Sequence, residues 1–327
     1  MLAFIVRRLL AAIPFMFLVS ITVFILIQLP PGDFATSYAA SLSAAGEYVD
    51  QNTIAELRAR YGLNDPLIVQ YFRWIGGILM GDFGYSFQWN SPVSELIGER
   101  MGLTVLLTFA TVIFTWAVAL PLGIYAAVHK YSIGDYIFTF IGFIGLAIPN
   151  FLLALVMMYF AVVWFGQDVS GLFSPEFRNA PWSWARMVDL GKHLIIPILV
   201  LGTASTAGMM RVMRANLLDQ LHQPYVVTAR AKGLSEARLL TRYPIRIALN
   251  PFVSTIGWLL PTLVSGEIIT SIILSLPTAG PLLLQALLAQ DYYLSGAFLL
   301  LLCMMTVVGT LISDILLVLL DPRIRYS

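Results

Sequence analysis

The chain has 327 residues, of which 59% are hydrophobic and only 11% charged, and its mean hydropathy is +0.83. Soluble domains run at about 45–50% apolar and about 25% charged, so this composition excludes an ordinary water-soluble globule. The net charge of +1 gives no bulk attraction to nucleic acid or to an acidic ligand, and the single cysteine, Cys303, excludes an intrachain disulfide and a thiol metal site.

In chain order, the first element is the apolar run 9–29, which follows Arg7-Arg8. Its length meets the roughly 20 residues a spanning helix needs. A secretory or twin-arginine signal has the same charge order, but a signal's apolar region is only about 7–15 residues and precedes a small-residue cleavage site. Here the run ends in Pro30-Pro31-Gly32-Asp33, which predicts an uncleaved anchor. Residues 102–128, 136–165, 194–213, 251–274 and 294–320 supply further apolar runs, six in all. Pro121, Pro149, Pro197 and Pro261 fall within these runs or at their ends, where a bundle tolerates kinks.

The segment 30–101 is too long for a plain connection. Residues 53–61 predict a short helix stopped at Gly62. Asp65-Pro66 then reads as an N-cap followed by proline in the first helical position, with Leu67, Ile68, Tyr71, Phe72, Ile75 and Leu79 on one face.

Orientation follows from the placement of Lys and Arg. With Arg7 and Arg8 inside, 30–101 falls outside, where Asp33, Glu47, Asp50, Glu56, Asp65, Asp82, Glu95 and Glu99 face only Arg58, Arg60, Arg73 and Arg100. Lys130 then falls inside. So does the segment with Arg211, Arg214, Arg230, Lys232, Arg238, Arg242 and Arg246, as do Arg323 and Arg325. Both termini are therefore expected to be cytoplasmic.

The basic segment carries more than charge. Pro224 fits a first helical position and Gly233 a stop, which predicts a helix over 224–232 with Arg230 and Lys232 in its last turn. Ser235 is placed to cap a second short helix that Pro244 interrupts. A nine-residue helix is not stable alone in water, so it must dock on something. Headgroup contact by membrane lipid accounts for the charge but not for this punctuation.

The stretch "YVVTARAKGLSEARLLTRYPIRIALNP" resembles the cytoplasmic loop of ABC-importer permeases, in particular the dipeptide/oligopeptide branch. "FIVRRLLAAIP", "RYGLNDPLIVQYFRWIGGILMGDFGYSF" and "LLDPRIRYS" resemble the same branch, so the likeness covers nearly the whole chain. It implies the type I importer permease fold: an all-α integral membrane protein with six transmembrane helices. Residues 1–29 would form the cytoplasmic N-terminus and first helix, 30–101 a periplasmic helical insertion between helices 1 and 2, and 102–327 the core. A cytoplasmic coupling-helix loop, about 214–250, would lie between helices 4 and 5.

The family works with a second homologous permease subunit, in a heterodimer, with two cytoplasmic ABC ATPases and with a periplasmic substrate-binding protein. ATP and Mg are bound by the ATPases, so no cofactor is expected in this chain. The resemblance implies that Tyr225, Thr228, Ala229, Arg230, Ala231, Lys232, Gly233, Leu234 and Ser235 form the ATPase-coupling loop. The general motif's leading Glu-Ala is Val227-Thr228 here, and Leu249 and Pro251 lie farther from Gly233 than in the general pattern.

Charge within a spanning segment marks a functional candidate. Glu267 and Asp314 qualify, for the translocation path or as structural acids. Pro277 and Gly280 match a family turn that follows such a Glu, although Leu276 and Thr278 replace its usual aromatic and glycine. No G-x-x-x-x-G-K-[ST] phosphate loop occurs, since Gly191-Lys192 is followed by His193. His129, His193 and His222 lack metal-ligand spacing, and no Ser/His/Asp grouping is visible, so an enzyme is not expected. A secondary transporter would show paired repeats, which are absent. The resulting expectation is a peptide-importer permease in a bacterial inner membrane, with oligosaccharides, opines or nickel as alternative cargo.

Overall fold

The computed structural model describes residues 2–44, 46, 50–60, 62–166, 170–255 and 268–320. Helices α1 (Leu2–Gln28), α2 (Phe34–Ala44), α3 (Gln51–Arg60) and α4 (Leu67–Leu79) come first, followed by a two-stranded ribbon of β1 (Tyr85–Ser86) and β2 (Ser91–Pro92). Next are α5 (Val93–Val128), α6 (Ile133–Ala147), α7 (Asn150–Phe165), α8 (Trp184–Leu221), α9 (Pro224–Ala231), α10 (Glu236–Arg242) and α11 (Pro244–Ala248). The last described helices are α12 (Ile268–Ile273), α13 (Ala279–Leu288) and α14 (Tyr292–Leu320). The chain forms two compact units, Met1–Leu103 with Thr278–Val307, and Thr104–Pro277 with Val308–Ser327.

Among the described residues, α1, α5, α8 and α14 are each long and apolar enough to cross a membrane. The predicted third span, 136–165, is not one rod: α6 and α7 meet at a break bent by 100°. The cause is Pro149, which lacks an N–H and pushes the residue before it out of helical geometry; Ile148 is extended at φ −85°, ψ 120°. Half of the predicted fifth span, residues 256–267 with Pro261, lies outside the described residues, as do Arg323, Arg325 and Glu47.

In the first unit, α1 packs Val23 and Phe24 against Tyr71 and Trp74 of α4 and Leu300 of α14. Phe24 meets the Tyr71 ring edge-on at 5.4 Å, and the Ser20 and Tyr71 hydroxyls are 2.9 Å apart. The α3 helix stops where Gly62 takes φ +66°, as the sequence predicts. The start of α4 differs from expectation. Pro66 occupies the cap position without a side-chain bond, while Asp65 pairs with Arg73 at 2.7 Å. The face differs too: Tyr71, Trp74 and Gln70 are buried, whereas Leu67, Ile68, Phe72 and Leu79 point outward. Helical periodicity shows which residues share a face but not which face finds a partner, so it does not by itself choose the packed one.

In the same unit, Asp291 is fully buried and collects several donors. The Ser86 hydroxyl donates to it at 2.6 Å and the backbone N–H groups of Gln88 and Leu294 at 3.2 Å. It therefore caps α14 and ties the ribbon turn to that helix.

The second unit is built on α8, which begins earlier and ends later than the predicted span 194–213 and is not ended by Pro197. At 1.5 Å per residue its 38 residues extend roughly 57 Å, well beyond a hydrocarbon core of about 30 Å. The Ser183 hydroxyl caps its start, and the Arg186 guanidinium lies 4.6 Å from the Phe173 and Trp182 rings alike. Glycines bring other helices close. A Cβ on Gly123 of α5 would sit 2.8 Å from the Met210 carbonyl of α8, and one on Gly145 of α6 would sit 2.9 Å from Thr203. Small residues at such crossings let backbones approach where lipid supplies no hydrophobic drive.

Gly123→Ala should lower the apparent Tm of the detergent-purified protein, because an overpacked contact against backbone costs about 1–3 kcal/mol. Gly76→Ala in α4, whose Cβ would meet nothing within 4 Å, should leave the Tm unchanged or raise it. A scan of both variants checks this; equal losses would contradict the packing described for α5 and α8.

Candidate functional site

The basic segment folds as its punctuation dictates. Pro224 opens α9 in the first helical position, and Gln223 accepts the Val226 amide at 2.9 Å through its backbone carbonyl. The helix ends at Ala231, one residue before the predicted Lys232, which takes the C-cap position. Gly233 follows at φ +79°, with its amide on the Arg230 carbonyl at 3.0 Å. A glycine is suited to this left-handed position because it has no Cβ to strain. A Cβ placed there would meet nothing within 4 Å, so the requirement is one of backbone conformation, not of space.

What α9 docks on is the chain itself. Val226 and Ala229 pack on Leu239 of α10, with Tyr225 and Leu234 at the margin of the cluster. The Tyr225 hydroxyl, 2.7 Å from Gln220 Oε1, is pushed above its ordinary pKa by burial. Ser235 stands at the cap position of α10 in extended conformation, but its hydroxyl makes no capping bond; the first turn is held through its carbonyl, which accepts the Leu239 amide at 2.9 Å. Pro244 ends α10 and begins α11, as expected. Ala248 of α11 and Phe252 then pack with Met213 and Leu217 of α8 and with Ala127 of α5. The loop is thus one body with the end of α8.

The outward surface of α9 is Val227, Thr228, Arg230 and Ala231, continuing to Lys232 and Gly233. Its charge is partly neutralised, because Arg230 Nε donates to Glu236 at 2.6 Å. That hydrogen bond holds the Glu236 carboxyl below, and the Arg230 guanidinium above, their usual values. Lys232, Arg238, Arg242 and Arg246 are exposed. The mostly uncharged face of α9 is therefore flanked by cations.

Arg214, which the sequence presents only as one more cation, lies inside α8. Its Nε and Nη2 donate to Asp135 Oδ1 and Oδ2, each at 2.7 Å. Asp135 is buried at the start of α6 and also accepts the Tyr131 amide at 2.9 Å. The spacing Ser132-x-x-Asp135 before an apolar run is the signal that would have found it; the Ser132 hydroxyl indeed accepts the Asp135 amide. Asp291, directly before an apolar run, carried a similar cap signal.

The other candidates are more scattered. Asp314 is buried in α14, beside Ser313, whose hydroxyl donates to the Val253 carbonyl at 2.7 Å. Pro277 is half-buried and belongs to the same unit, whereas Gly280 is buried in the first turn of α13 in the other unit. Glu267 lies outside the described residues. No group of three or more His, Cys, Asp or Glu residues that could hold a metal occurs among the described residues.

Several helices long and apolar enough to cross a membrane, with a folded basic loop at the end of the longest of them, define a multi-pass membrane protein. Residues 119–326 match the family described as binding-protein-dependent transport system inner membrane component, and residues 1–108 match that family's N-terminal region. The chain is 37% identical to the oligopeptide transport system permease protein AppB of Bacillus subtilis (strain 168) and 32% identical to the dipeptide transport system permease protein DppB of Escherichia coli (strain K12). Each alignment covers all of both chains. The chain belongs to this family of inner-membrane permease components, as the resemblance predicted, and it is the membrane component rather than a catalytic one.

Gly233→Val should locally destabilise the α9–α10 body by about 1–2 kcal/mol through left-handed strain. Gly233→Asn should be tolerated better, since Asn adopts that conformation more readily. Hydrogen exchange over 224–239 reads the difference, and equal protection in both variants would contradict it. Because Glu236 is more acidic when folded than when unfolded, its bond to Arg230 should stabilise the loop at neutral pH. Protection should then weaken as pH falls below the ordinary carboxylate range, and Glu236→Gln should abolish that pH dependence.

Proposed function

We propose that this chain is the permease subunit of an ATP-driven ABC importer in a bacterial inner membrane. With a second homologous permease it forms the path for peptides delivered by a periplasmic binding protein, and two cytoplasmic ABC ATPases supply the work and bind ATP and Mg. The observation that carries this reading is the α9–α11 body, which is folded on the end of α8 and presents Val227, Thr228 and Ala231 outward. Such an element is otherwise unexplained in a chain without a phosphate loop of its own.

The topology that fits has six spans: α1, α5, the bent pair α6–α7, α8, the run 251–274 and α14. Both termini and the basic loop are cytoplasmic, and the insertion 30–101 is periplasmic. In this arrangement Tyr225, Thr228, Ala229, Arg230, Ala231, Lys232, Gly233, Leu234 and Ser235 make up the coupling loop. Ala229 serves it from within, because its methyl faces Leu239, while Thr228 and Ala231 face the partner. The names of the two relatives, one oligopeptide and one dipeptide permease, favour peptides over oligosaccharides, opines or nickel. Asp314, buried next to a hydroxyl that ties α14 to Val253, fits a structural acid, and Glu267, Pro277 and Gly280 are kept for the path.

Reconstituted with its ATPases, partner permease and binding protein, the chain should support ATP-dependent uptake of short peptides into vesicles. Purified alone it should hydrolyse no ATP. Hydrolysis by the isolated chain, or uptake that needs no ATPase, would contradict the assignment.

A further inference from the structure

The α6–α8 contact has two different ends. In its middle, Gly142 and Gly145 of α6 lie against Met210, Ala207 and Thr203 of α8. Positions rise along α6 as they fall along α8, so the helices run in opposite directions, with glycines of α6 facing Thr203, Ala207 and Met210 of α8. The α6 side of this contact has no side chain at Gly142 and Gly145 to interlock with α8, so it resists a change of angle weakly. At the end nearest the loop the contact changes character. Arg214 grips Asp135 through both carboxylate oxygens, with the Asp135 side chain only 3% exposed and Arg214 at 26%.

A bidentate guanidinium–carboxylate pair is directional and, when buried, cannot be pulled apart without leaving an unpaired charge. The carboxylate is itself fixed from its own side. Tyr131 donates its amide to Oδ2 at 2.9 Å, and the Thr139 hydroxyl lies 3.5 Å from Oδ1. Arg214 stands seven residues before the end of α8, about 10 Å along the axis. Just beyond it, Leu217 packs with Ala248 and Phe252, so the loop and this stretch of α8 move together.

Resting on the coupling-loop reading above, we propose that Asp135–Arg214 is a positioning pair for transport: a pin through which displacement of the loop and α8 is passed to the start of α6. Motion of the loop reaches α6 first at this pin, while the smooth glycine contact beyond it lets the two helices change angle. Packing of Ala127 on Ala248 and Phe252 ties the loop to α5, whereas the start of α6 is tied to α8 by this ion pair; without the pair the loop can move while α6 stays behind.

The test uses the complete transporter in proteoliposomes, with peptide uptake and ATP hydrolysis measured together. Asp135→Asn and Arg214→Gln should each lower peptide taken up per ATP hydrolysed by about tenfold, within the usual range of coupling between sites. The double variant should do no further harm, since both singles remove the same link. It also buries no unpaired charge, so it carries the test if either single fails to fold. A merely structural role would lower uptake and hydrolysis together and leave their ratio unchanged; that result, or a wild-type ratio in the double variant, overturns the pin. Failure of the wild-type complex to couple uptake to ATP would instead overturn the coupling-loop reading itself.

Discussion

The close approach of α5 and α6 to α8 is the constraint on which the second unit depends. Hydrocarbon solvates leucine as well as a protein interior does, so these helices gain little from burying apolar side chains against each other. They gain from dispersion at short range, which requires glycine where backbones meet. Gly123 and Gly145 are such places, each facing an atom of α8 that a side chain would strike. The long α8 helix is therefore a spine, and whatever is fixed to its end moves with it.

The α9–α11 body is fixed to that end. Its charges are those expected of a loop on the inner side in the topology proposed above, and they say little about purpose. The informative features are a proline that starts a helix, a glycine that ends it at positive φ, and a small apolar cluster of Val226, Ala229 and Leu239 that holds two short helices together. Neither helix is long enough to persist alone in water. Folding them on each other and on α8 turns a loop into a body fixed to the end of α8, as the proposed coupling role requires.

Much of this was legible in the sequence. The four spans of α1, α5, α8 and α14, the prolines at 224 and 244 and the glycines at 62 and 233 act through local physics, and each lies where that physics puts it. The packed face of α4 was not legible: Trp74 is buried while Leu67 and Ile68 are not, because the choice is made by Val23, Phe24 and Leu300, which lie far away in sequence. Nor was the partner of Arg214, since an ion pair between residues 79 apart depends on how α6 folds back on α8. The 100° break at Pro149 was signalled by the proline, but its size depends on tertiary packing that the proline alone does not reveal.

The central claim is that the outward face of α9 seats on a motor subunit. In a Cys303→Ser background, Thr228→Cys offers an exposed thiol at the middle of that face. Bifunctional thiol cross-linking in the assembled transporter should join this position to an ATPase subunit and should lose that product when the ATPases are left out. A Thr228→Cys thiol that forms no ATPase adduct in an active complex, and stays as reactive to soluble reagent as in the ATPase-free protein, would contradict the account.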